Sequence, residues 1–245
     1  MSRRLHKEPA WLLHHRPYLD SSSLLDVLSR DHGRLSLIAR GSRSPKSRLK
    51  GLLRPFLPLQ LSWVIRSELG TLTGAELHGS PLALTGEALL SGYYANELLL
   101  LLLHRHDPQP QIFAIYGATI ERLAGGSDPA PALREFELEL LRLLGYGVNL
   151  EHETQSQVPL VAEAQYEYRV AQGPVRSNED AGPMTFSGAE LLALRDRDFS
   201  RPETLRSAGR LLRAAIAYHL DGRELKSRRV LMEMRRGRAR EPNNE

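Results

Sequence analysis

Cysteine is absent from this chain of 245 residues. Without it the chain can form no disulfide and no thiolate zinc site, and it has no thiol nucleophile. Aromatic residues are scarce as well, at 6%. A composition of 41% hydrophobic and 25% charged residues is nevertheless typical of an ordinary globular protein, neither disordered nor fibrous.

Long apolar runs are also lacking. The strongest candidate is a run of leucines at 98–103, which is bounded by Glu97 and His104. A membrane-spanning helix needs about 20 apolar residues, so this run predicts a buried helix instead. The apolar segment before His14 is too short for a secretory signal. We therefore expect a cytoplasmic protein with no membrane partner.

Acidic residues are missing from the whole stretch 33–54, although the net charge of the chain is only +4. The basic residues of this stretch are Arg34, Arg40, Arg43, Lys46, Arg48, Lys50 and Arg54. Positive charge that is placed in this way indicates a polyanionic partner, nucleic acid first. Two other interpretations stay open, namely a merely solvated face and a surface for an acidic protein.

A nucleotide-hydrolysing loop is excluded in the same stretch. Gly41 precedes Lys46-Ser47, but only three residues separate it from Pro45. A phosphate-binding loop needs four residues and then Gly-Lys-Ser/Thr, with consecutive backbone amides around the phosphate. Proline has no N–H to contribute. Phosphate contacts by the basic side chains of this loop remain.

Two hydrophobic periods divide the chain near residue 80. Alternation predicts strands at 11–15, 24–30, 34–40, 57–65 and 70–77, enough for a small OB-like barrel. Helical spacing predicts helices at 89–103, 112–123, 133–144, 187–194 and 202–220. We predict an α+β multidomain protein: an OB-fold β-barrel over 1–80, a mainly helical domain over 81–235 with an irregular insert at 150–190, and a disordered polar tail over 236–245.

Within that scheme, Asp31-His32-Gly33 predicts a hairpin turn, and Tyr166 begins what reads as a lone strand. Tyr18 is the best candidate for stacking on a base, whereas Trp11 and Trp63 are expected in the core. The basic tail residues Lys226, Arg228 and Arg229 are expected to extend the nucleic-acid surface. No residues at metal-ligand spacing and no catalytic set are recognisable, so we expect no metal, no cofactor and no enzymatic activity.

Arg134 stands in the first turn of the helix predicted at 133–144, beside its apolar stripe. A guanidinium there is suited to a carboxylate of a partner whose aromatic side chain enters the neighbouring groove. The alternative is an intrahelical ion pair with Glu137, three residues further on.

Several strings, in order along nearly the whole chain, resemble the RecO family of bacterial recombination mediators. They are Leu13-His-His-Arg-Pro-Tyr18, Ser22-Ser-Leu24, His32-Gly-Arg-Leu-Ser-Leu-Ile-Ala-Arg-Gly-Ser-Arg43, Leu52-Leu-Arg-Pro-Phe-Leu-Pro-Leu59, Tyr94-Ala-Asn-Glu-Leu98, Leu133-Arg-Glu-Phe-Glu-Leu138, Leu144-Gly-Tyr-Gly147 and Leu225-Lys-Ser-Arg228. Each string is weak alone, and together they are specific. The cysteines that bind zinc in many relatives are absent here.

The resemblance implies an OB-fold followed by a helical domain, and a nucleoid-associated protein that binds single- and double-stranded DNA and anneals complementary strands. It also implies that RecR acts with it to help RecA replace single-stranded DNA-binding protein. The acidic tail of that binding protein is expected at Arg134. The open alternative is a non-enzymatic adaptor whose basic loop meets an acidic protein.

Overall fold

The computed structural model describes residues 3–65, 69–177, 182–227 and 229–230. They group into two compact units. The first contains the described residues up to Ser127 and those from Leu225 onward, and the second is Asp128–Glu224. The sequence predicts a division after residue 80, whereas the packing groups the first two helices with the strands. The predicted tail at 236–245 lies outside the described residues.

A closed five-stranded barrel forms the start of the first unit, which confirms the predicted OB-like fold. Its strands are β1 (Arg3–Tyr18), β2 (Ser22–Ser29), β3 (Gly33–Ala39), β4 (Pro58–Ile65) and β5 (Gly70–Leu77). Their order is β1-β2-β3-β5-β4. All pairs are antiparallel except β3 with β5, which is parallel and short, at Leu37↔Gly70 and Ile38↔Thr71.

The barrel interior follows the alternation of the strands. Leu35, Leu37 and Ala39 of β3 are buried in one apolar cluster with Trp63 of β4, as their two-residue spacing predicts. Ile38 is half-buried and Arg40 is exposed. Because a one-residue slip would turn this face outward, the pattern specifies the register of β3.

The β2–β3 hairpin is the predicted turn. Ser29 pairs with Gly33, and Gly33 has a φ of +66°, the left-handed conformation that glycine adopts at low cost. The segment that follows the first helix runs beside Gly33: the His106 N–H donates to the Arg34 carbonyl oxygen at 2.8 Å. A Cβ on Gly33 would overlap the Asp107 carbonyl. This segment therefore covers the part of β3 that β5 does not pair.

The first unit also contains the helices α1 (Gly86–Leu102) and α2 (Pro110–Ala124). The leucine run lies in α1, with Leu98 and Leu99 fully buried. Asn96 joins three elements, because its Nδ2 donates to the Leu13 carbonyl of β1 at 2.8 Å and its Oδ1 accepts from the Tyr116 hydroxyl of α2 at 2.5 Å. This buried amide fastens both helices to the barrel. Burial raises the pKa of the Tyr116 phenol, so it stays a neutral donor.

In its described residues, the second unit contains three helices and a small sheet. The elements are α3 (Pro129–Leu143), β6 (Gln165–Arg169), β7 (Gly173–Ser177), β8 (Thr185–Ser187), α4 (Gly188–Arg195) and α5 (Pro202–His219). The sequence predicted one strand at Tyr166, but the structure has an antiparallel sheet in the order β7-β6-β8. The short partners β7 and β8 contain Gly and Pro or span few residues, so neither shows a clear period of its own.

Candidate nucleic-acid interface

The connection between β3 and β4, residues 40–57, is a chain of tight turns that we call the basic connection. Successive backbone bonds Ser44→Gly41, Ser47→Ser44 and Lys50→Ser47 hold it, at 3.0–3.3 Å. Two of its residues, Leu49 and Leu53, pack against the apolar cluster of the barrel. The basic connection is therefore anchored to the barrel by apolar side chains while its charged side chains point away.

Its basic side chains are accessible to a partner. All are exposed: Arg40, Arg43, Lys46, Arg48, Lys50 and Arg54. Within the described part of the chain, no carboxylate forms an ion pair with any of them. By contrast, most of the exposed arginines of the second unit, such as Arg169, Arg195 and Arg206, pair with a neighbouring acid. The structure thus leaves a cluster of uncompensated positive charge on one connection of the barrel.

Arg43 has a structural task as well. Its backbone N–H donates to the Ser21 carbonyl at 2.9 Å, and its Nη1 donates to the Leu19 carbonyl at 3.3 Å. Next to it, the hydroxyl of Ser42 donates to that of Ser23 at 2.9 Å. These bonds join the basic connection to the β1–β2 turn. A guanidinium has five N–H donors, so Arg43 keeps others for an anion.

Arg34 does not lie with these exposed side chains. Its Nε donates to the Leu103 carbonyl at 3.1 Å, and its guanidinium is part-buried beside the segment that covers β3. Burial lowers the pKa of Arg34, and the nearby positive charge of Arg105 lowers it further. Arg105 in turn donates to Ser36 at 2.6 Å, and Ser36 donates to Asp26 at 2.7 Å. In this structure Arg34 holds the covering segment in place.

Both tryptophans lie in the core, as the sequence predicts. Trp63 is fully buried in the barrel, and Trp11 is 5% exposed with its ring against Phe113 and Tyr116 of α2. Tyr18, at the end of β1, is half-buried. It is followed at once by Leu19, whose exposure of 74% is the largest of any bulky apolar residue in the described segments. No sequence signal singled out Leu19.

The basic tail returns to the first unit. The Glu97 carboxylate of α1 accepts from the backbone N–H groups of Lys226 and Ser227, both at 2.9 Å, and from the Ser227 hydroxyl. The side chains of Lys226 and Arg229 are exposed, and Arg228 lies outside the described residues. Glu97 and Ser227 were not predicted as partners, because 130 residues separate them.

Arg134 of α3 has the intrahelical partner that the sequence left open. Its Nη2 donates to Glu137 Oε1 at 2.8 Å, and its side chain is 17% exposed against 1% for that of Glu137. A Cβ built on Gly209 of α5 would lie 3.2 Å from its Nη1, so the guanidinium rests on bare backbone. One part of the guanidinium is thus occupied within the chain, and 17% of the side chain is open to solvent.

Among the residues that the structure describes, no three His, Asp or Glu side chains gather as a metal site would require. In the same residues, no helix has the length and apolar character needed to cross a membrane.

Comparison with known proteins identifies the family. The model described as "Recombination protein O N terminal" matches residues 1–81, and the one described as "Recombination protein O C terminal" matches residues 83–229. The proteins named "DNA repair protein RecO" from Azoarcus sp. and Methylococcus capsulatus are each 44% identical to this chain. The first alignment covers 96% of this chain and 98% of the relative, and the second covers 90% of each.

A relative of the same name from Aliivibrio fischeri is 41% identical over 91% of this chain and 93% of its own length. These matches confirm the resemblance that the ordered strings indicate, and they support a role in DNA repair. With both halves matched in order, the chain belongs to the RecO family.

Proposed function

We propose that this chain is a recombination mediator in DNA repair. It binds single- and double-stranded DNA, anneals complementary strands and, with RecR, assists the loading of RecA onto DNA coated with single-stranded DNA-binding protein. It acts in the cytoplasm at the nucleoid, without catalysis. The observation that carries the proposal is the exposed, uncompensated charge of the basic connection on an OB-like barrel, in a family whose members are named for DNA repair.

The physical basis of this activity is electrostatic. Lysine and arginine side chains that neutralise phosphates release condensed counterions, which favours binding to any DNA sequence. The same side chains screen the repulsion between two phosphate backbones, so complementary strands approach and pair. In this proposal Arg40, Arg43, Lys46, Arg48 and Lys50 supply the main contacts, and Lys226, Arg228 and Arg229 extend them. Arg34 contributes through the position of the covering segment.

Charge reversal of the basic connection tests the proposal. In the triple variant Lys46→Glu, Arg48→Glu and Lys50→Glu we expect weaker binding of a single-stranded oligonucleotide and slower annealing. The slope of log K against log salt concentration becomes shallower by about 2, since each lost phosphate contact removes about 0.7. Fluorescence anisotropy over a salt series measures both quantities. Arg43 is left intact because it also holds the β1–β2 turn.

A matched control changes net charge equally at another place. Arg169→Glu, Arg195→Glu and Arg206→Glu reverse three exposed arginines of the second unit, and they should leave the salt slope as in the wild type. Equal slopes for both triple variants would exclude the basic connection as the DNA site. If the wild type bound no naked oligonucleotide and bound DNA only after RecR was added, the adaptor alternative would hold instead.

The partner-tail site at Arg134 belongs to the same proposal. The acidic, aromatic-ended tail of single-stranded DNA-binding protein offers carboxylates to a guanidinium, and Glu137 already occupies part of that guanidinium. An incoming carboxylate must therefore compete with a charge of the same chain. Removing the charge of Glu137 should favour the tail if Arg134 is its receptor.

Glu137→Gln is accordingly expected to bind a tail peptide about fivefold more tightly, equivalent to about 1 kcal/mol of relieved competition. Arg134→Lys should weaken binding, because an ammonium lacks the planar fork of the guanidinium. Anisotropy of a labelled peptide measures both. Glu139→Gln, which removes the charge of a carboxylate on the same helix that pairs with Arg142 and Arg197, is the control and should leave the affinity for the tail peptide unchanged. Unchanged affinity in both Glu137→Gln and Arg134→Lys would exclude this site.

A further inference from the structure

Leu19 combines two properties that apolar residues seldom share. It is 74% exposed, and its φ of +51° lies in the left-handed region. No other bulky apolar residue among those the structure describes is exposed on such a backbone. Isolated apolar side chains on a surface are ordinary, but left-handed backbone at a branched side chain is unfavourable, and strain of this kind gathers at binding sites.

Strand pairing and hydrogen bonds hold the loop that carries Leu19. It opens the short loop between Tyr18 of β1 and Ser22 of β2, which pair with each other. Its carbonyl accepts from Arg43 Nη1 at 3.3 Å, and the carbonyl of Ser21 accepts from the backbone N–H of Arg43 at 2.9 Å. Leu19 and Ser21, on either side of the loop tip, are thus both hydrogen-bonded to Arg43 of the basic connection.

We propose that Leu19 is a base-contacting residue that inserts between neighbouring bases of the bound strand. The inference rests on the proposed DNA binding and adds a subsite to it. A phosphate on the remaining donors of Arg43 places the attached nucleotide beside the loop tip. The faces of its base are apolar, and leucine is among the side chains that DNA-binding proteins wedge between base steps. The adjacent residue Tyr18 is half-buried and offers an aromatic ring on which a base can stack.

Such a contact would serve strand annealing. A wedge that separates neighbouring bases keeps a bound single strand from stacking on itself, while the cations hold its backbone extended. Bases that are unstacked present their pairing edges to a complementary strand. The basic connection and Leu19 then divide the work: the cations hold phosphates without regard to sequence, and the leucine acts on the bases.

The test uses oligonucleotides that carry 2-aminopurine, whose fluorescence rises when the base is unstacked. Wild-type protein should raise it on binding. In Leu19→Gly the rise should fall to less than about a third, because no wedge remains. Glycine accepts the left-handed backbone without strain, so folding is preserved. Leu19→Met keeps a long apolar side chain and should give the wild-type signal. The control is Val158→Ala, at an exposed apolar position of the second unit, and it should leave the signal unchanged.

Affinity separates this inference from the function on which it rests. Leu19→Gly should keep the wild-type salt slope, since it removes no phosphate contact. A full 2-aminopurine signal in Leu19→Gly, alongside lost affinity in the Lys46, Arg48 and Lys50 variant, would overturn the wedge and leave DNA binding intact. Full affinity in that charge variant would overturn the proposed function itself. A normal DNA signal in Leu19→Gly combined with loss of RecR binding would assign Leu19 to a protein contact and reject the proposal.

Discussion

Replacing Asn96 with alanine is expected to lower the free energy of unfolding of the first unit by about 4 kcal/mol. The change removes the donor to the Leu13 carbonyl and the acceptor of the Tyr116 hydroxyl. A buried polar group that loses its partner costs about 1–3 kcal/mol, and two groups are affected here. Asn96 is 2% exposed, so both of its hydrogen bonds are lost inside the junction of β1, α1 and α2 and not at the surface.

Urea unfolding followed by tryptophan fluorescence measures this loss selectively. The chain has two tryptophans, Trp11 and Trp63, and both are buried in the first unit. Tyr116→Phe removes one of the two bonds of Asn96 and should cost only about 1–2 kcal/mol. The double variant should be less destabilised than the sum of the single ones, because they share a bond. A loss below about 1 kcal/mol in Asn96→Ala would show that the amide does not fasten the helices.

Gly33→Ala is the second large effect, with an expected loss of about 3 kcal/mol in the same measurement. About 1 kcal/mol comes from placing a Cβ on left-handed backbone. The remainder, about 2 kcal/mol, comes from displacing the backbone at Asp107, which a Cβ would overlap. The displaced segment also bonds to Arg34, through the His106 N–H to the Arg34 carbonyl and through the Arg34 side chain to the Leu103 carbonyl. Its displacement therefore exposes the part of β3 that it covers.

Gly41 provides the matched comparison. Its φ is +65°, nearly that of Gly33, but no atom lies within 4 Å of a Cβ built on it. Gly41→Ala should therefore cost only about 1 kcal/mol, the part due to backbone conformation. The difference between the two variants isolates the contact between the barrel and its covering segment. Equal losses would mean that this segment moves away without resistance.

The elements of the fold could be predicted wherever one period dominated. The strands with alternating burial and the helices with regular apolar spacing all appear and, apart from the start of β1, lie within a few residues of their predicted ends. Strand β1 begins at Arg3, well before the predicted start at Trp11. The early part could not be predicted, because a register shift between Leu5 and Glu8 interrupts its alternation. The sheet of the second unit was predicted as one strand, since its partners are too short to show a period.

Contacts between distant parts of the chain could not be predicted. The alternation of β3 correctly turns Arg34 away from the core, but it does not reveal that the segment after α1 covers that side. Likewise, Asn96 and Glu97 lie beside a run of leucines, and nothing in the local pattern indicates their partners Leu13 and Ser227. Periodicity describes the faces of an element and not what meets them.

The candidate site shows the same division. The absence of Asp and Glu from residues 33–54 predicts an uncompensated basic surface. In the structure, most Lys and Arg side chains of this stretch are exposed and form no ion pair within the described residues. Leu19 was not predicted, because its interest lies in backbone conformation and in its bonds to Arg43. Neither can be read from residue types alone.

The bond between Glu97 and the segment at Lys226–Ser227 has a consequence for the order of assembly. A ribosome produces α1 long before Lys226, which is 129 residues further on. Throughout synthesis of the second unit the Glu97 carboxylate therefore stays hydrated, and it exchanges water for backbone N–H groups only when the closing segment arrives. Docking of the basic tail is thus a late step of folding, and a nascent chain that stalls inside the second unit carries a finished barrel without it.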